Sequence, residues 1–218
     1  MKGSVSILLV DDHALVRDTL ADRLQRELDF EVVGIASTAE EAIAIATSTQ
    51  PDIVLSDIDM PGLNSFEAAK KLLDLLPNLK IIFLSAFVHD VFVEQALSVK
   101  AHGYLTKREP PDTVVMAIRE VISGGAYFSE EVESRIVVDE KGANLQSKSK
   151  SLVSTLSPRE LEVLQYIAQG LGKKDIAKLT NLSVKTVDHH TSRLMNRLKI
   201  HDRVDLARFA LREGLIQA

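Results

Sequence analysis

Short apolar runs alternate with amphipathic stretches along the first half of the chain. The runs, such as Ile53-Val54-Leu55, are almost wholly hydrophobic, which is typical of a parallel sheet covered on both faces. The five predicted strands are Ser6–Val10, Val32–Ala36, Ile53–Ser56, Ile81–Ser85 and Gly103–Leu105. The five predicted helices are Ala14–Leu28, Ala39–Thr47, Ser65–Leu75, Val91–Val99 and Thr113–Ser123. This alternation predicts a doubly wound α/β domain over residues 1–126.

The pattern changes after this domain. We predict one short helix over Glu130–Asp139, and the polar stretch Gly142–Ser154, rich in Ser and Lys, is typical of a linker. Residues 127–152 are therefore assigned to a linker and residues 153–218 to a second, all-helical domain. Its four predicted helices are Pro158–Gln169, Lys173–Thr180, Val184–Lys199 and Arg203–Glu213. Ser157 before Pro158 is typical of a helix start, and Gly170 is typical of a helix end.

Charge separates the same two halves. Residues 1–151 carry 15 Lys and Arg against 24 Asp and Glu, whereas residues 152–218 carry 11 against 7. This asymmetry indicates that the basic tail alone meets a polyanion. Cysteine is absent, which excludes disulfides and thiolate metal sites. No apolar run is long enough to span a bilayer and no signal peptide is visible, so we expect a cytoplasmic protein that does not contact a membrane.

Polar residues stand at the ends of four predicted strands. Asp11 and Asp12 close the first strand, Asp57 closes the third, Ser85 closes the fourth and Lys107 follows the fifth. In a doubly wound sheet such strand ends meet at one edge, where ligands bind. Three carboxylates there would repel one another unless a cation neutralised them, and ligands that offer only oxygen favour Mg²⁺. The group therefore predicts phosphoryl acceptance at Asp57, with Lys107 balancing the added charge and Ser85 donating a hydrogen bond.

These residues stand in motifs that resemble the receiver domain of bacterial response regulators. The motifs are Leu8-Leu9-Val10-Asp11-Asp12-His13, Ser56-Asp57-Ile58-Asp59-Met60-Pro61-Gly62, Leu84-Ser85-Ala86 and Gly103-Tyr104-Leu105-Thr106-Lys107. The resemblance covers about residues 5–125 and implies a flavodoxin-like sheet with strand order 2-1-3-4-5. It implies that Asp57 is the phosphoacceptor, that Asp12, Asp57 and the backbone carbonyl of Asp59 ligate Mg²⁺, and that Asp11 acts through water.

The resemblance also implies two switch residues. Ser85 would move its hydroxyl toward the phosphoryl group while the ring of Tyr104 turns inward. Plainer explanations stay open, because Asp12 could cap the helix that follows it and Tyr104 could be an ordinary core aromatic. Asp57-Ile58-Asp59 also resembles the nucleophile and acid–base pair of haloacid-dehalogenase-type phosphatases, although those enzymes usually continue with Thr or Val. Multiple turnover on phosphate monoesters would favour that alternative.

The third predicted helix of the tail has one apolar and one polar face. The residues predicted to be buried are Val184, Val187, Leu194 and Leu198. The residues predicted to be exposed are Lys185, Asp188, His189, Ser192, Arg193 and Asn196. Ser183 is the expected N-cap, and a short Asn181-Leu182 turn precedes it. The second and third helices therefore predict a helix-turn-helix with an exposed polar second helix.

Three segments of the tail are similar to the LuxR-type DNA-binding domain. They are Leu156-Ser157-Pro158-Arg159-Glu160, Ala168-Gln169-Gly170-Leu171 and Ser183-Val184-Lys185-Thr186-Val187. With the receiver motifs, this similarity over about residues 153–217 indicates a NarL/FixJ-type response regulator. It implies a histidine kinase partner, duplex DNA, a homodimer when active or DNA-bound, and no enzymatic activity beyond the receiver's own phosphorylation and slow dephosphorylation.

The same resemblance assigns individual DNA contacts. Base edges would be met by Asp188, His189 and Ser192, and phosphates by Lys185, Thr186, Arg193 and Asn196. Asp188 departs from the Lys that is common in the family, so we expect an unusual sequence preference or a weak intrinsic affinity. Gly172 replaces the usual hydroxyl cap of the second helix, and His190 is expected to pack inward. A helical module that binds protein stays the alternative for the tail, and salt-sensitive binding to duplex DNA would distinguish the two.

Overall fold

The computed structural model describes residues 3–60, 63–86, 88–139, 142–145, 152–180, 182–213 and 215–216. The chain divides into two compact units, Met1–Gln146 and Ser147–Ala218. Parts of three predicted features, namely the motif at Pro61-Gly62, the later linker and the turn at Asn181, lie outside the described residues. Within the described ranges, no helix combines the length and apolar character needed to cross a membrane.

A parallel sheet flanked by helices forms the first unit. The strands are β1 (Val5–Val10), β2 (Phe30–Ala36), β3 (Ile53–Asp57), β4 (Lys80–Ser85), β5 (Gly103–Thr106) and β6 (Tyr127–Phe128). The helices between them are α1 (Ala14–Leu24), α2 (Ala39–Thr49), α3 (Ser65–Leu75), α4 (Asp90–Ser98) and α5 (Pro111–Ile122). The sheet order β2-β1-β3-β4-β5-β6 confirms the predicted order of the first five strands and adds a sixth. Every residue of β3 is buried, which explains its apolar run Ile53-Val54-Leu55.

Helix α1 is shorter than predicted. It ends at Leu24, with Gln25 as its C-cap, whereas the prediction continued it to Leu28. The side chain of Leu28 is fully exposed, so it offers no packing face that could stabilise another helical turn.

The sixth strand was missed because it has only two residues. Tyr127 pairs in parallel with Gly103 at the edge of the sheet. A Cβ atom at Gly103 would lie 2.7 Å from the backbone oxygen of Tyr127, so glycine permits this close approach. The residues after α5 thereby extend the sheet.

The single helix predicted over Glu130–Asp139 is wrong in part. A short helix α6 (Glu130–Glu133) is followed by β7 (Ile136–Asp139), which pairs antiparallel with β8 (Gly142–Leu145). The run Ile136-Val137-Val138 is β-branched throughout and favours a strand. Tertiary contacts hold this segment against the rest of the first unit, because Arg135 donates to the backbone oxygen of Val88 (3.1 Å) and to the carboxylate of Asp90 (2.9 Å).

The second unit is helical, as predicted. A 3₁₀ helix (Leu152–Thr155) precedes α7 (Pro158–Ala168), α8 (Lys173–Leu179), α9 (Val184–Leu198) and α10 (Arg203–Arg212). Helix α7 packs against α9 and α10, and α8 packs against α9. Val187, Leu194 and Leu198 are buried as predicted, but Val184 is 45% exposed because it starts α9 ahead of the residues that pack. Gly170 has the left-handed φ of +87° expected of a residue after a helix end.

Candidate functional site

The carboxyl ends of β1 and β3 bring two acidic side chains together. The strands are neighbours and pair Val10 with Ser56, so the residues that follow, Asp11 and Asp57, lie side by side. Both are buried, with exposed side-chain fractions of 4% and 1%. The backbone amide of Lys107 donates to the oxygen of Ser85 at 2.8 Å, which fixes Lys107 beside the same edge. The structure therefore places together residues that are distant in the sequence.

Four side chains at this edge could hold a metal ion. Ligand atoms of Asp11, Asp12, His13 and Asp57 all lie within 4.8 Å of one another. His13 was not predicted to belong to the group, and its Nδ1 lies 2.8 Å from Oδ1 of Asp12. Asp59 was predicted to contribute its backbone carbonyl, which is not among these side-chain atoms; its amide donates to Oδ1 of Asp57 at 3.2 Å. Capping does not explain Asp12, because the N-cap of α1 is His13 and no side chain caps it.

Lys107 supplies the positive charge inside this cluster. Its Nζ lies 2.7 Å from Oδ2 of Asp11 and 2.7 Å from Oδ2 of Asp57. Burial raises the pKa of Asp57 to about 6; Lys107 acts in the opposite direction, and Asp11 and Asp59 add repulsion. Burial alone would lower the pKa of Lys107, but the two carboxylates outweigh it and raise that pKa. One ammonium thus leaves Asp57 under-compensated, and the clustered carboxylate oxygens fit a hard divalent cation such as Mg²⁺.

Ser85 and Tyr104 are in contact below this edge. Both are fully buried, and Tyr104 is among the largest fully buried side chains. Burial raises the pKa of Tyr104, while its side-chain hydrogen bond with Ser85 acts in the opposite direction. Tyr104 is therefore a core aromatic as well as a partner of Ser85, so the two explanations of this residue do not exclude each other.

In the second unit, one face of α9 is open to solvent. Its exposed residues include Lys185, Asp188, His189, Ser192, Arg193 and Asn196. Thr186 is half-buried, and its hydroxyl lies 2.8 Å from the hydroxyl of Ser183, the N-cap. His190 is also half-buried, and burial lowers its pKa. The residues that the sequence predicted to be exposed therefore lie together on the solvent-facing side of α9.

Comparison with known proteins identifies both units. Residues 7–119 match the family model of the response regulator receiver domain, and residues 154–210 match that of bacterial regulatory proteins, luxR family. The chain is a LuxR-type response regulator. It is 34% identical over 216 residues to the uncharacterized transcriptional regulatory protein YxjL of Bacillus subtilis (strain 168), covering 99% of each chain. It is also 34% identical to the response regulator UvrY of Escherichia coli (strain K12), covering 98% of this chain and 97% of UvrY.

A solved structure shows the same fold. The structure of RcsB from Salmonella enterica serovar Typhimurium, bound to promoter rprA in the presence of the phosphomimetic BeF3-, has a TM-score of 0.67 and 20% identity to this response regulator. The match covers 95% of this chain and 98% of that chain. Membership in the family confirms the predicted NarL/FixJ type and makes the chain a transcriptional regulator, so the phosphatase alternative is not supported.

The sequence analysis assigned no role to three further residues of this response regulator, namely Lys173, Glu160 and Arg197. Lys173, the first residue of α8, forms an ion pair with Asp188 on α9. Glu160 is buried, and its Oε2 lies 3.0 Å from Nη1 of Arg197 and its Oε1 3.5 Å from Nε of Arg193. The Ser157 to Glu160 spacing of a capping box could have identified Glu160. Nothing in the local sequence indicates the partner of Lys173.

Magnesium is expected to stabilise the receiver unit through this cluster. At about 100 times its Kd, a ligand that binds only the folded state stabilises by about 2.7 kcal/mol. The gain should be largest above pH 6, because burial raises the pKa of Asp57 to about 6 and the cation favours its ionised form. We expect Asp12→Asn to remove most of the rise in melting temperature with Mg²⁺, measured by calorimetry. Asp18→Asn, an exposed residue on α1, is the matched control; an unchanged Mg²⁺ response in Asp12→Asn would contradict the site.

Proposed function

We propose that Asp57 accepts a phosphoryl group from a cognate sensor histidine kinase, and that this event controls binding of duplex DNA by α9. The observation that carries the proposal is the placement of Asp57. Its buried carboxylate lies 2.7 Å from Lys107 and beside Asp11 and Asp12 at the carboxyl edge of the sheet. A small acyl phosphate could serve as an alternative donor.

The side chains support a direct transfer. A carboxylate oxygen of Asp57 attacks phosphorus, the P–N bond to the kinase histidine breaks, and the electron pair leaves with the imidazole nitrogen. Asp12, Asp57 and the carbonyl of Asp59 would hold Mg²⁺, with Asp11 acting through water, and the cation would supply charge that offsets repulsion between the carboxylates and the phosphoryl oxygens. Lys107 keeps its ammonium beside the phosphorylated Asp57 and balances the added negative charge.

Ser85 and Tyr104 convert the added charge on Asp57 into a change of side-chain packing. Phosphorylated Asp57 attracts the hydroxyl of Ser85, which in the present structure is hydrogen-bonded to Tyr104. Because both side chains are buried, a change in one requires repacking of the other, and this shifts a pre-existing equilibrium between inactive and active forms. The face around β4 and β5 changes with them.

The active form presents α9 to the major groove of DNA. Asp188, His189 and Ser192 meet base edges, whereas Lys185, Thr186, Arg193 and Asn196 meet phosphates. Two copies bind as a homodimer to two half-sites in the cytoplasm. The promoter-bound structure of RcsB, which has the same fold, supports this use of the second unit.

Binding of full-length protein to duplex DNA over a salt series, with and without Mg²⁺ and beryllofluoride, tests the proposal. We expect roughly 10-fold or tighter binding with the mimic, since a coupling free energy of 1–3 kcal/mol is typical of such switches. Two cationic phosphate contacts in each of two copies predict a slope of about −4 in log K against log salt. Asp57→Ala, which should not respond to beryllofluoride, is the control. Binding that ignores the mimic would reject the coupling, and no binding in either state would favour a protein-binding tail.

A further inference from the structure

One negative charge interrupts the polar face of α9. Asp188 is the single acidic residue of this helix, whose sequence is VKTVDHHTSRLMNRL. It lies on the exposed face, with Lys185 one turn before it and Ser192 one turn after it. A carboxylate at this position repels DNA phosphates, so its presence on the face that meets DNA needs a physical explanation.

A cation from another helix compensates this charge. Nζ of Lys173 contacts Oδ1 of Asp188 across the junction of α8 and α9. The side chains are 49% and 56% exposed, and ion pairs exposed to this degree contribute little to stability. The pair therefore contributes little to folding, but it places an ammonium against a carboxylate on an open surface.

We propose that Lys173 and Asp188 are a specificity-determining pair that selects cytosine at one position of each half-site. Lys173 orients the carboxylate of Asp188 and cancels its charge toward the phosphates. Asp188 can then offer a hydrogen-bond acceptor to a base edge without a net electrostatic penalty. The inference rests on the proposed function, in which α9 reads duplex DNA.

The chemistry of the major groove favours cytosine. Its N4 amino group donates to a carboxylate, whereas guanine presents N7 and O6 and thymine presents O4, which are acceptors and would face another acceptor. Adenine has a donor at N6 but also an acceptor at N7, so a carboxylate fits it less well. Lysine at the same position would instead favour guanine, because it donates to O6 and N7.

Sites selected from a randomised duplex library by full-length protein with Mg²⁺ and beryllofluoride would test this proposal. For wild type we expect cytosine at one position of each half-site, with each other base there weakening binding roughly 10-fold. Asp188→Asn should move the preference at that position to adenine, and Asp188→Lys should move it to guanine. All changes are on the surface, and circular dichroism would check that each variant is folded.

Lys173→Gln isolates the role of the cation. It should flatten the cytosine preference in the wild-type background, but in the Asp188→Asn background it should weaken all sequences equally. Lys174→Gln removes a neighbouring exposed lysine and is the matched control for general attraction to phosphate. Equal effects of Lys173→Gln and Lys174→Gln on every sequence would overturn the role of Lys173.

The outcomes also separate this inference from the function on which it rests. If wild type binds no duplex, the proposed DNA-binding function itself fails. If wild type binds, but shows no sequence preference or keeps its preference in Asp188→Asn, the specificity pair is rejected and DNA binding stands.

Discussion

Asp57→Ala is expected to abolish incorporation of phosphate from acetyl phosphate. Asp57 lies against Lys107 and inside the cluster that could hold a metal ion, and its side chain, only 1% exposed, is the more deeply buried of the two carboxylates that Lys107 contacts. Loss of this side chain removes the proposed nucleophile, since alanine has no carboxylate that could attack phosphorus. Labelling should therefore fall to background, as measured by mass spectrometry of the intact protein after incubation with Mg²⁺ and acetyl phosphate.

Two comparisons make this result specific. Asp57→Asn keeps the shape of the side chain but lacks the nucleophilic carboxylate, and it should be equally inactive. Asp18→Ala removes an exposed carboxylate on α1 and should label like wild type. Circular dichroism would check folding, and phosphate retained on Asp57→Ala would show that another residue is the acceptor.

Glu160→Ala is expected to destabilise the second unit by about 2 kcal/mol. Oε2 of Glu160 accepts from the backbone amide of Ser157 (2.8 Å) and lies 3.0 Å from Nη1 of Arg197, which joins the start of α7 to the end of α9. Loss of a helix cap costs roughly 1 kcal/mol, and loss of a buried partner costs more. Arg193 and Arg197 are 52% and 37% exposed, so water can solvate their guanidinium groups once Glu160 is removed. The loss in free energy of unfolding therefore stays near the lower end of the range for a buried partner.

Urea denaturation followed by circular dichroism would measure this effect. The matched control is Asp205→Ala, which removes a surface pair with Arg208 in which both partners are more than half exposed, and it should change stability by about 0.5 kcal/mol or less. An effect of Glu160→Ala no larger than that of the control would contradict the prediction.

The difference between wild type and Glu160→Ala should depend on pH. Burial opposes ionisation of Glu160, but hydrogen bonds from Ser157 and the charges of Arg197 and Arg193 outweigh it and lower its pKa below 4.5. A lowered pKa in the folded state means that the stabilisation is fully present above pH 4.5 and is lost as pH falls through the folded value. The two proteins should therefore converge in stability under acidic conditions.

Local patterning alone predicted most secondary structure. The central strands β1, β3 and β4 contain apolar runs because both faces of a parallel sheet are covered there, and such runs are visible without any tertiary information. Helices α7 and α9 follow the N-caps Ser157 and Ser183, whose side chains accept from the backbone of the first turn, so the starts of these two helices were predicted correctly. Their predicted ends were one residue late, because the C-cap still bonds to the helix.

The location of the acidic site also follows from the sequence. Asp11 and Asp57 directly follow buried strands, and parallel strands bring their carboxyl ends to one edge whatever the details of packing. The order of the strands together with the residue types at their ends was therefore sufficient to place Asp11, Asp12, Asp57 and Lys107 in one group.

The features that only the tertiary structure decided are contacts between residues that are far apart in the sequence. Pairing of Tyr127 with Gly103, attachment of Arg135 to the start of α4, and the contact of Lys173 with Asp188 each join separate elements, and no local periodicity encodes them. The raised pKa of Asp57 likewise follows from burial, which only the complete fold creates. The sequence by itself determined most of the elements and the edge that carries the chemistry. The tertiary structure decided the short strands β6, β7 and β8, the charge state of that edge and the partners of its residues, because burial and long-range contacts exist only once the chain has folded.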